Sequence, residues 1–399
     1  MMKITDIIKP KICHNKYYLS NRYMEYDDIS QYPIINKNTV LKHYHEIFTP
    51  CSNMITVQTS GSTGEAMKIP WNSMEYYSSL ATLWRLRKRH NIAPTDTYLT
   101  CHSSIDIRGQ YLDSKVVISA NEISLSKNNF SEEDIENYIK YIRMISPRWI
   151  YAQPSFVYFL GHYIASKQKD ILRSFEYIEL VGELLTPEVK ESIRQLYENA
   201  EVVNMYGMQE FNGIMYENNG WMEAISDNVY VEILRDDGSA CDIGEEGDIV
   251  VSGLKNSVLP LIRYNTGDRG KKIEKDNSSA YIITSGRSND YMLYNGKYYD
   301  GSFVFVVVNE YNKTHLNKIV RFQVVYDNNI LNCYIKCTGE IETVWIGDEI
   351  EAILKRLYQI DISVRIISDE NYQYIFGENK IKYFVNNHLE SSDRHFVRW

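Results

Sequence analysis

Between residues 97 and 204 the sequence alternates short apolar segments with longer amphipathic ones. The apolar, strand-like segments cover residues 97–101, 115–120, 149–152, 177–181 and 201–204. Helix-like segments between them begin at Ser131, Pro154 and Thr186. This alternation predicts a mainly parallel sheet with helices on its faces. Ligands of such sheets bind beyond the carboxyl ends of the strands, where Gly182-Glu183 and Tyr206-Gly207 fall.

The pattern of strand-like and helix-like segments changes after about residue 220. Strand-like segments at 229–234, 248–252 and 281–284, separated by turns, predict a small antiparallel sheet or barrel. Two more strands and a helix follow after residue 292, which predicts a small separate domain. We therefore expect an α/β fold. A large domain over residues 1–290 would carry mainly parallel sheets and a β-barrel-like part, and a small mobile α+β domain would cover 291–399.

Composition narrows the function classes. The net charge of −9 gives no overall attraction to nucleic acid or to an anionic membrane. Six scattered cysteines show neither a disulfide framework nor zinc-ligand spacing. The first ten residues lack the apolar core of a signal peptide, and no run of about 18 apolar residues exists. A cytoplasmic protein without a membrane span is expected.

One stretch suggests phosphate binding. Residues 59–64 read Thr-Ser-Gly-Ser-Thr-Gly, a loop of two glycines and four hydroxyl residues. Such a loop can direct backbone N–H groups and hydroxyls at phosphate oxygens. Taken alone it is equally typical of an ordinary loop.

Four later motifs give that loop a context. They are Val181-Gly182-Glu183-Leu184, Tyr206-Gly207-Met208-Gln209-Glu210, the ten residues 259–268 (Leu-Pro-Leu-Ile-Arg-Tyr-Asn-Thr-Gly-Asp), and Gly286-Arg287-Ser288-Asn289-Asp290. In this order and spacing the five motifs resemble those of the adenylate-forming superfamily. The nearest branch resembles the phenylacetate–coenzyme A ligases and the capsule-biosynthesis-type adenylating proteins. The resemblance covers residues from about 30 to the end and is weakest over the last hundred.

The resemblance implies a two-step reaction with ATP and Mg²⁺. A small carboxylic acid would attack the α-phosphorus of ATP, which gives an acyl-adenylate and pyrophosphate. A thiol such as coenzyme A would then displace AMP. Rotation of the small domain about Asp290 would separate the two steps. An amine or a carrier-protein thiol as acceptor, and a degenerate protein that binds ATP without turnover, remain open alternatives.

The resemblance also assigns roles to residues. The nucleotide-binding set is Thr59, Ser60, Gly61, Ser62, Thr63, Gly64, Lys68, Gly182, Glu183, Tyr206, Gly207, Gln209, Asp268 and Arg287. Asp268 would accept hydrogen bonds from the ribose hydroxyls, for which a carboxylate is suited. Tyr206 would stack on adenine, and Glu210 would ligate Mg²⁺. A turn aspartate, a buried aromatic and a solvated glutamate are the respective structural alternatives.

Three catalytic residues are expected: Glu210, Arg287 and Lys380. Lys380 would stabilise charge at the reacting carboxylate and phosphate, with Lys382 as its competitor. Asn379 stands where the family has glycine. The chain also departs at Ala66, where proline is usual, and at Gln209, where a hydroxyl residue is usual.

The acyl pocket is the least determined part of the site. The resemblance places it near His102, Ser103 and Gly182. His102 could contact the acid, although a lone histidine is more often structural. The 33 tyrosines suit a flat aromatic acid and a tyrosine-rich core equally well.

Overall fold

The fold was analysed in a computed structural model of the chain. The structure describes residues 3–59, 67–102, 114–127, 132–275, 278–285, 291–301, 303–315, 318–337, 343–370, 372, 375–377, 380–381 and 383–388. Among these residues no helix is long and apolar enough to cross a membrane.

Helices and strands alternate along the chain. The helices are α1 Ile4–Ile12, α2 Lys16–Ser20, α3 Lys37–Lys42, α4 Tyr44–Ile47, α5 Ser73–Arg87, α6 Glu132–Ile145, α7 Pro154–Gln168, α8 Pro187–Leu196, α9 Phe303–Thr314 and α10 Thr343–Tyr358. The first strands are β1 Met54–Gln58, β2 Lys68–Asn72, β3 Tyr98–His102, β4 Val116–Ser119, β5 Glu122–Ser126, β6 Trp149–Ala152, β7 Tyr177–Val181, β8 Glu201–Met208, β9 Asn212–Asn218, β10 Trp221–Ala224 and β11 Val229–Leu234. The later ones are β12 Glu246–Gly253, β13 Tyr264–Lys275, β14 Ser278–Ser285, β15 Tyr291–Tyr294, β16 Lys297–Asp300, β17 Ile319–Asp327, β18 Ile330–Cys337, β19 Ser363–Ser368, β20 Phe376–Gly377, β21 Lys380–Ile381 and β22 Phe384–Asn386.

One twelve-stranded sheet dominates the large part of the molecule, in the order β11-β12-β13-β14-β10-β9-β8-β7-β6-β3-β5-β4. Strands β5, β3, β6, β7 and β8 are parallel neighbours. The expected parallel sheet is therefore present, and its carboxyl ends meet at one edge. The strands remain apolar because helices cover both faces.

The antiparallel part differs from the expectation. Strands β9 to β14 do not form a separate sheet or barrel, because β9 pairs directly with β8 and continues the parallel sheet. The change from parallel to antiparallel occurs at a tight turn between β8 and β9. One continuous sheet thus replaces the separate antiparallel sheet or barrel that the change of sequence pattern predicted.

The glycine-rich stretch lies between two paired strands. β1 and β2 run antiparallel, with Gln58 opposite Lys68. β2 leads into α5, whose N-terminal N–H groups are capped by the Asn72 side chain through Met74 and Glu75.

A buried ion pair fixes α5 to the sheet. Arg87 donates to Glu179 through Nε and Nη2 at 2.9 and 2.7 Å. Tyr177 and Tyr216 donate to the same carboxylate oxygen at 3.1 and 3.3 Å. The guanidinium lies 4.6 Å from the Trp84 ring centroid. A charge buried this deeply is stable only because it is fully paired.

The described residues from Phe303 onward form an α+β unit. Its sheet has the order β19-β18-β17-β22, and α9 and α10 accompany it. This unit packs against the large part through α7, which is buried throughout residues 154–164. Phe159 lies 5.7 Å from both Phe322 and Tyr383 between ring centroids, and Tyr158 lies 6.1 Å from Phe305. The contact between the two units is therefore an aromatic core.

Candidate active site

The candidate site lies where the parallel strands end. β7 ends at Val181 and is followed by Gly182, whose φ of +83° is a backbone conformation that suits glycine. β8 pairs with β7, and Tyr206 directly follows Met205, the residue opposite Val181. Two of the sequence motifs are thus side by side because their strands are neighbours.

The clearest link in the site joins Tyr206 to Asp268. The Tyr206 hydroxyl donates to Asp268 Oδ2 at 2.6 Å. Three strands separate β8 from β13 in the sheet, so a flat sheet would keep the two residues roughly 19 Å apart. The sheet must therefore curl to bring them together. This curvature joins two motifs that are 62 residues apart in sequence.

The backbone around Asp268 is held on all sides. The Asp268 N–H donates to Thr266 Oγ1 at 3.1 Å, and that hydroxyl donates to the Ile249 carbonyl at 2.9 Å. Gly267 has φ +78°, and its N–H donates to Asn265 Oδ1 at 2.8 Å. Asp268 is 7% exposed. The Thr-Gly-Asp segment thus belongs to β13 and fixes a buried carboxylate beside Tyr206.

Glu210 lies in the turn after β8 and is also buried, at 4% exposure. Its Oε1 accepts a hydrogen bond from the Tyr264 hydroxyl at 3.3 Å. The turn is so tight that a Cβ on Gly207 would come within 2.2 Å of the Asn212 carbonyl oxygen. Gly207 therefore determines where Glu210 points, and Gln209 is partly exposed in the same turn.

The donor set around Glu210 is compatible with magnesium. Mg²⁺ is a hard cation that is usually held by one or two carboxylates, with substrate phosphates and water completing its shell. Glu210 supplies one such carboxylate. No group of three or more His, Cys, Asp or Glu side chains suited to a metal occurs among the described residues. Glu210 therefore fits a phosphate-assisted magnesium site better than an all-protein one.

Glu183 connects the end of β7 to helix α7. Its Oε2 accepts the backbone N–H of Ser155 at 3.1 Å, in the first turn of that 15-residue helix. A carboxylate at a helix N-terminus is favourable because the N–H groups there carry partial positive charge. The Gly-Glu motif thus sets the position of α7 as well as that of the sheet edge.

His102 is bonded at both ring nitrogens. Nδ1 lies 2.9 Å from Ser124 Oγ, and Nε2 lies 2.9 Å from the Ser114 carbonyl oxygen. Because a carbonyl can only accept, Nε2 carries the proton and Nδ1 accepts from Ser124. The geometry favours the structural role for His102 over a contact with the substrate acid.

The phosphate-binding stretch is described only at its ends. Thr59 donates its N–H to the Met67 carbonyl at 3.0 Å, and its hydroxyl accepts from the Met67 N–H at 2.9 Å. These bonds close the base of the intervening segment. Lys68 is exposed at the start of β2. Ser60, Gly61, Ser62, Thr63 and Gly64, with Ala66, lie outside the described residues.

Three further predicted residues also lie outside the described part of the chain: Ser103, Arg287 and Lys382. Lys380 is described through its backbone, which pairs with Gly377 between β20 and β21. Tyr383 stands three residues after Lys380 and packs on Phe159 of α7. Tyr383 therefore belongs to the aromatic contact with α7, the helix that starts beside Glu183.

Arg263 has a structural role. Its guanidinium pairs with Glu232 at 3.2 and 3.1 Å and donates to the Ser30 and Tyr32 carbonyls at 2.9 Å each. The residue is 4% exposed, so none of this charge faces the site.

Two site contacts were not predicted from the sequence, namely Tyr264 with Glu210 and Ser155 with Glu183. Tyr264 stands in the 259–268 motif, so its position four residues before Asp268 could have suggested a role. No local pattern links Ser155 to Glu183, because the pair depends on neighbouring strands.

Comparison with protein-family models places the chain in a family. The model described as AMP-binding enzyme matches residues 22–258, more than half of the chain. The chain therefore belongs to the AMP-binding enzyme family. A comparison with curated protein sequences gives no significant match.

Solved structures with the same fold include acyl–coenzyme A ligases at low sequence identity. 2-Hydroxyisobutyryl-CoA ligase in the postadenylation state, in complex with 2-HIB-AMP, has a TM-score of 0.72 at 12% identity, over 96% of this chain and 87% of that chain. A benzoate CoA ligase from Burkholderia xenovorans LB400 has 0.54 at 15%, over 84% and 68%. O-succinylbenzoate coenzyme A synthetase from Bacillus subtilis, in complex with ATP and magnesium, has 0.50 at 17%, over 82% and 68%.

The first of these ligases also matches in another state. Its complex with 2-HIB-AMP and CoA in the thioesterification state has a TM-score of 0.57 at 13% identity, over the same 96% and 87%.

Proposed function

We propose that this protein activates a small carboxylic acid with ATP by forming an acyl-adenylate. The observation that carries the proposal is the contact between Tyr206 and Asp268 at 2.6 Å. It brings an aromatic ring and a buried carboxylate to the edge of the sheet where a nucleotide binds in folds of this kind. An adenosine needs such a pair, a flat surface for adenine and an acceptor for the ribose hydroxyls.

The proposed chemistry uses the remaining residues around this nucleotide. A carboxylate oxygen of the acid attacks the α-phosphorus, and the bond to the β-phosphate oxygen breaks to release pyrophosphate. The glycine-rich stretch would hold the leaving phosphates, and Mg²⁺ bound by Glu210 would offset their charge. The ammonium of Lys380, with Arg287, would stabilise the negative charge that develops.

The second step transfers the acyl group to a nucleophile. A thiol such as coenzyme A attacks the acyl carbon, and AMP leaves. The similar ligase that was solved with CoA favours coenzyme A, and the phenylacetate–coenzyme A ligase-like motifs favour an aromatic acid. An amine or the thiol of a carrier protein would react at the same carbon.

Exchange of labelled pyrophosphate into ATP tests the first step. The purified protein is incubated with ATP, Mg²⁺ and a panel of aromatic and aliphatic acids. Exchange that depends on one class of acid supports the proposal, and hydroxylamine then traps the acyl group as a hydroxamate. ATP binding without exchange for any acid would favour a protein that binds the nucleotide without turnover, in line with the departures at Ala66 and Gln209.

Two lysine variants assign the C-terminal residue. Lys380→Ala is expected to suppress exchange by about two orders of magnitude and to leave ATP affinity within a few-fold, because its charge acts on the transition state. Lys382→Ala is the matched control. The reverse result would show that Lys382 has this role.

A further inference from the structure

A half-buried lysine lies beside the candidate site and pairs with no carboxylate in the part of the chain that the structure describes. Lys127 follows β5, and its Nζ donates to Gln153 Oε1 at 3.1 Å. No carboxylate of the described ranges forms an ion pair with it. Gln153 precedes α7, so the lysine side chain reaches from β5 across β3 towards the end of β6.

Glu183 presents an unused acceptor at the same edge. Its Oε2 is occupied by the Ser155 N–H at 3.1 Å. Its Oε1 is buried and has no hydrogen-bond partner among the described residues. A buried carboxylate oxygen without a donor is costly, so a site of this kind favours a ligand that supplies one.

Lys127 and Glu183 contact positions two residues apart at the start of α7. Lys127 donates to the side chain of Gln153 at 3.1 Å, and Glu183 accepts from the backbone N–H of Ser155 at 3.1 Å. Cys101 lies on β3, between β5 and β6, and burial raises the pKa of its thiol. The two polar groups therefore border the same part of the sheet edge.

We propose that Lys127 and Glu183 form a polar subsite for the tail of the substrate acid. The subsite rests on the proposed function, because only an acid bound near Gly182 would extend its tail in this direction. Lys127 offers a donor and Glu183 offers an acceptor, so the tail carries both complements in one group. A hydroxyl or a primary amide satisfies both, whereas a methyl group satisfies neither and a carboxylate meets the charge of Glu183.

The sheet geometry sets the length of the acid. Neighbouring strands are about 4.8 Å apart, so Gln153, one strand away, lies roughly 5 Å along the edge from Gly182, and the backbone of Lys127, three strands away, lies roughly 14 Å from it. The activated carboxyl group and the polar tail are therefore separated by several bonds.

Pyrophosphate exchange with three matched sets of acids tests this subsite. The sets have equal length and end in a methyl group, in a hydroxyl or amide, or in a carboxylate. The hydroxyl- or amide-terminated acid is expected to have a kcat/KM at least about tenfold above the methyl-terminated one. Preference for the methyl or the carboxylate terminus would overturn the inference.

Variants at Lys127 locate the effect. Lys127→Met is expected to reduce the preference to less than about threefold and to leave exchange with the methyl-terminated acid within about twofold. Lys127→Arg keeps the cation and should keep the preference, and the exposed Lys140→Met should change nothing. A uniform loss for all acids in both Lys127 variants would mean a purely structural role and contradict the subsite.

The same assays separate this inference from the function on which it rests. Exchange without preference for any tail removes the subsite and leaves adenylation intact. Absence of exchange with every acid removes both.

Discussion

At the scale of single residues, Asp268 is a buried acidic side chain at the candidate site, only 7% exposed. The Tyr206 hydroxyl at 2.6 Å and the backbone bond to Thr266 fix its orientation. A carboxylate held in this way can receive two further hydroxyl donors without rearranging. The residue is therefore better suited to hold a diol than to form a turn.

Replacement of Asp268 tests this reading. Asp268→Asn is expected to raise the KM for ATP in pyrophosphate exchange by about a hundredfold, because two charge-assisted hydrogen bonds to the ribose are weakened. Tyr206→Phe keeps the aromatic ring and should raise the KM for ATP by about tenfold or less. Asp236→Asn, at an exposed turn, is the control. Equal KM values for all three variants would place the ribose elsewhere.

His162 gives a second prediction at this scale. It is 1% exposed on α7, neither ring nitrogen has a partner among the described residues, and burial lowers its pKa to about 3. Above about pH 6.5 the imidazole is neutral in the folded and unfolded states, so it adds no pH dependence there. Below that value only the unfolded state gains a proton, and stability falls as the pH drops towards 3.

The loss should reach about 2 kcal/mol at pH 5, from 1.4 kcal/mol per pH unit. Urea unfolding of wild type and His162→Phe between pH 7 and 5 measures it. The variant should show a shallower pH dependence, and the exposed His45→Phe should match wild type. Parallel curves for all three proteins would mean that His162 gains a proton partner in the folded state.

At the scale of elements, the pair Arg87 and Glu179 connects helix α5 to strand β7 beneath the site. The bidentate bonds at 2.9 and 2.7 Å and the two tyrosine hydroxyls satisfy both charges. Removal of one partner leaves the other charge buried and uncompensated. Loss of one partner therefore lowers the free energy of unfolding by more than the lost contacts alone would suggest.

Double replacement of this pair should therefore cost less than the two single replacements added together. Arg87→Met or Glu179→Gln is expected to lower the free energy of unfolding by about 3–5 kcal/mol, and the double variant by less than the two losses added together. Chemical denaturation measures all three. Arg148→Met, which breaks partly exposed pairs with Asp96 and Glu176, should cost about 1 kcal/mol per pair or less. Additive losses would show that the two side chains act independently.

The sequence was most informative about these elements where local signals agree. The acidic first turn of α6 is a local signal, so its predicted start at Ser131 lies one residue from the observed start at Glu132. β13 was missed because Thr266-Gly267-Asp268 has the composition of a turn, whereas Asn265 and Thr266 side chains hold it in the strand. Contacts between distant strands leave no local pattern.

At the scale of the whole molecule, the two units meet in an aromatic seam. Phe159, Phe322 and Tyr383 are 2%, 0% and 4% exposed, and they contact one another across it. Separation of the units would expose these rings to water. The expected mobility of the small domain is therefore opposed by hydrophobic burial.

Replacement of a seam residue should loosen the small unit. Phe159→Ala is expected to cost about 3–5 kcal/mol, because it leaves a cavity between the units. Its radius of gyration in small-angle X-ray scattering should exceed that of wild type. Phe175→Ala, a buried ring packed on Tyr197 within the large unit, should cost a similar amount without changing the radius. An unchanged radius in both variants would mean that other contacts hold the seam.

The seam also shows why the sequence predicted two domains without their packing. All residues of α7 from 154 to 164 are buried, so its apolar pattern indicates burial without identifying the partner. The same holds for Lys127, which looks like a surface lysine in the sequence. Its position beside Gln153 results from the order of the strands in the sheet.

The most direct test of acyl-adenylate formation follows the oxygen atoms of the acid. If the carboxylate attacks the α-phosphorus, a substrate labelled with ¹⁸O in its carboxyl group leaves one labelled oxygen in the AMP that is released after acyl transfer. Mass spectrometry of the nucleotide product measures this label. We predict AMP that carries one ¹⁸O per turnover. Unlabelled AMP, or ADP with the label in inorganic phosphate, would contradict the proposed reaction.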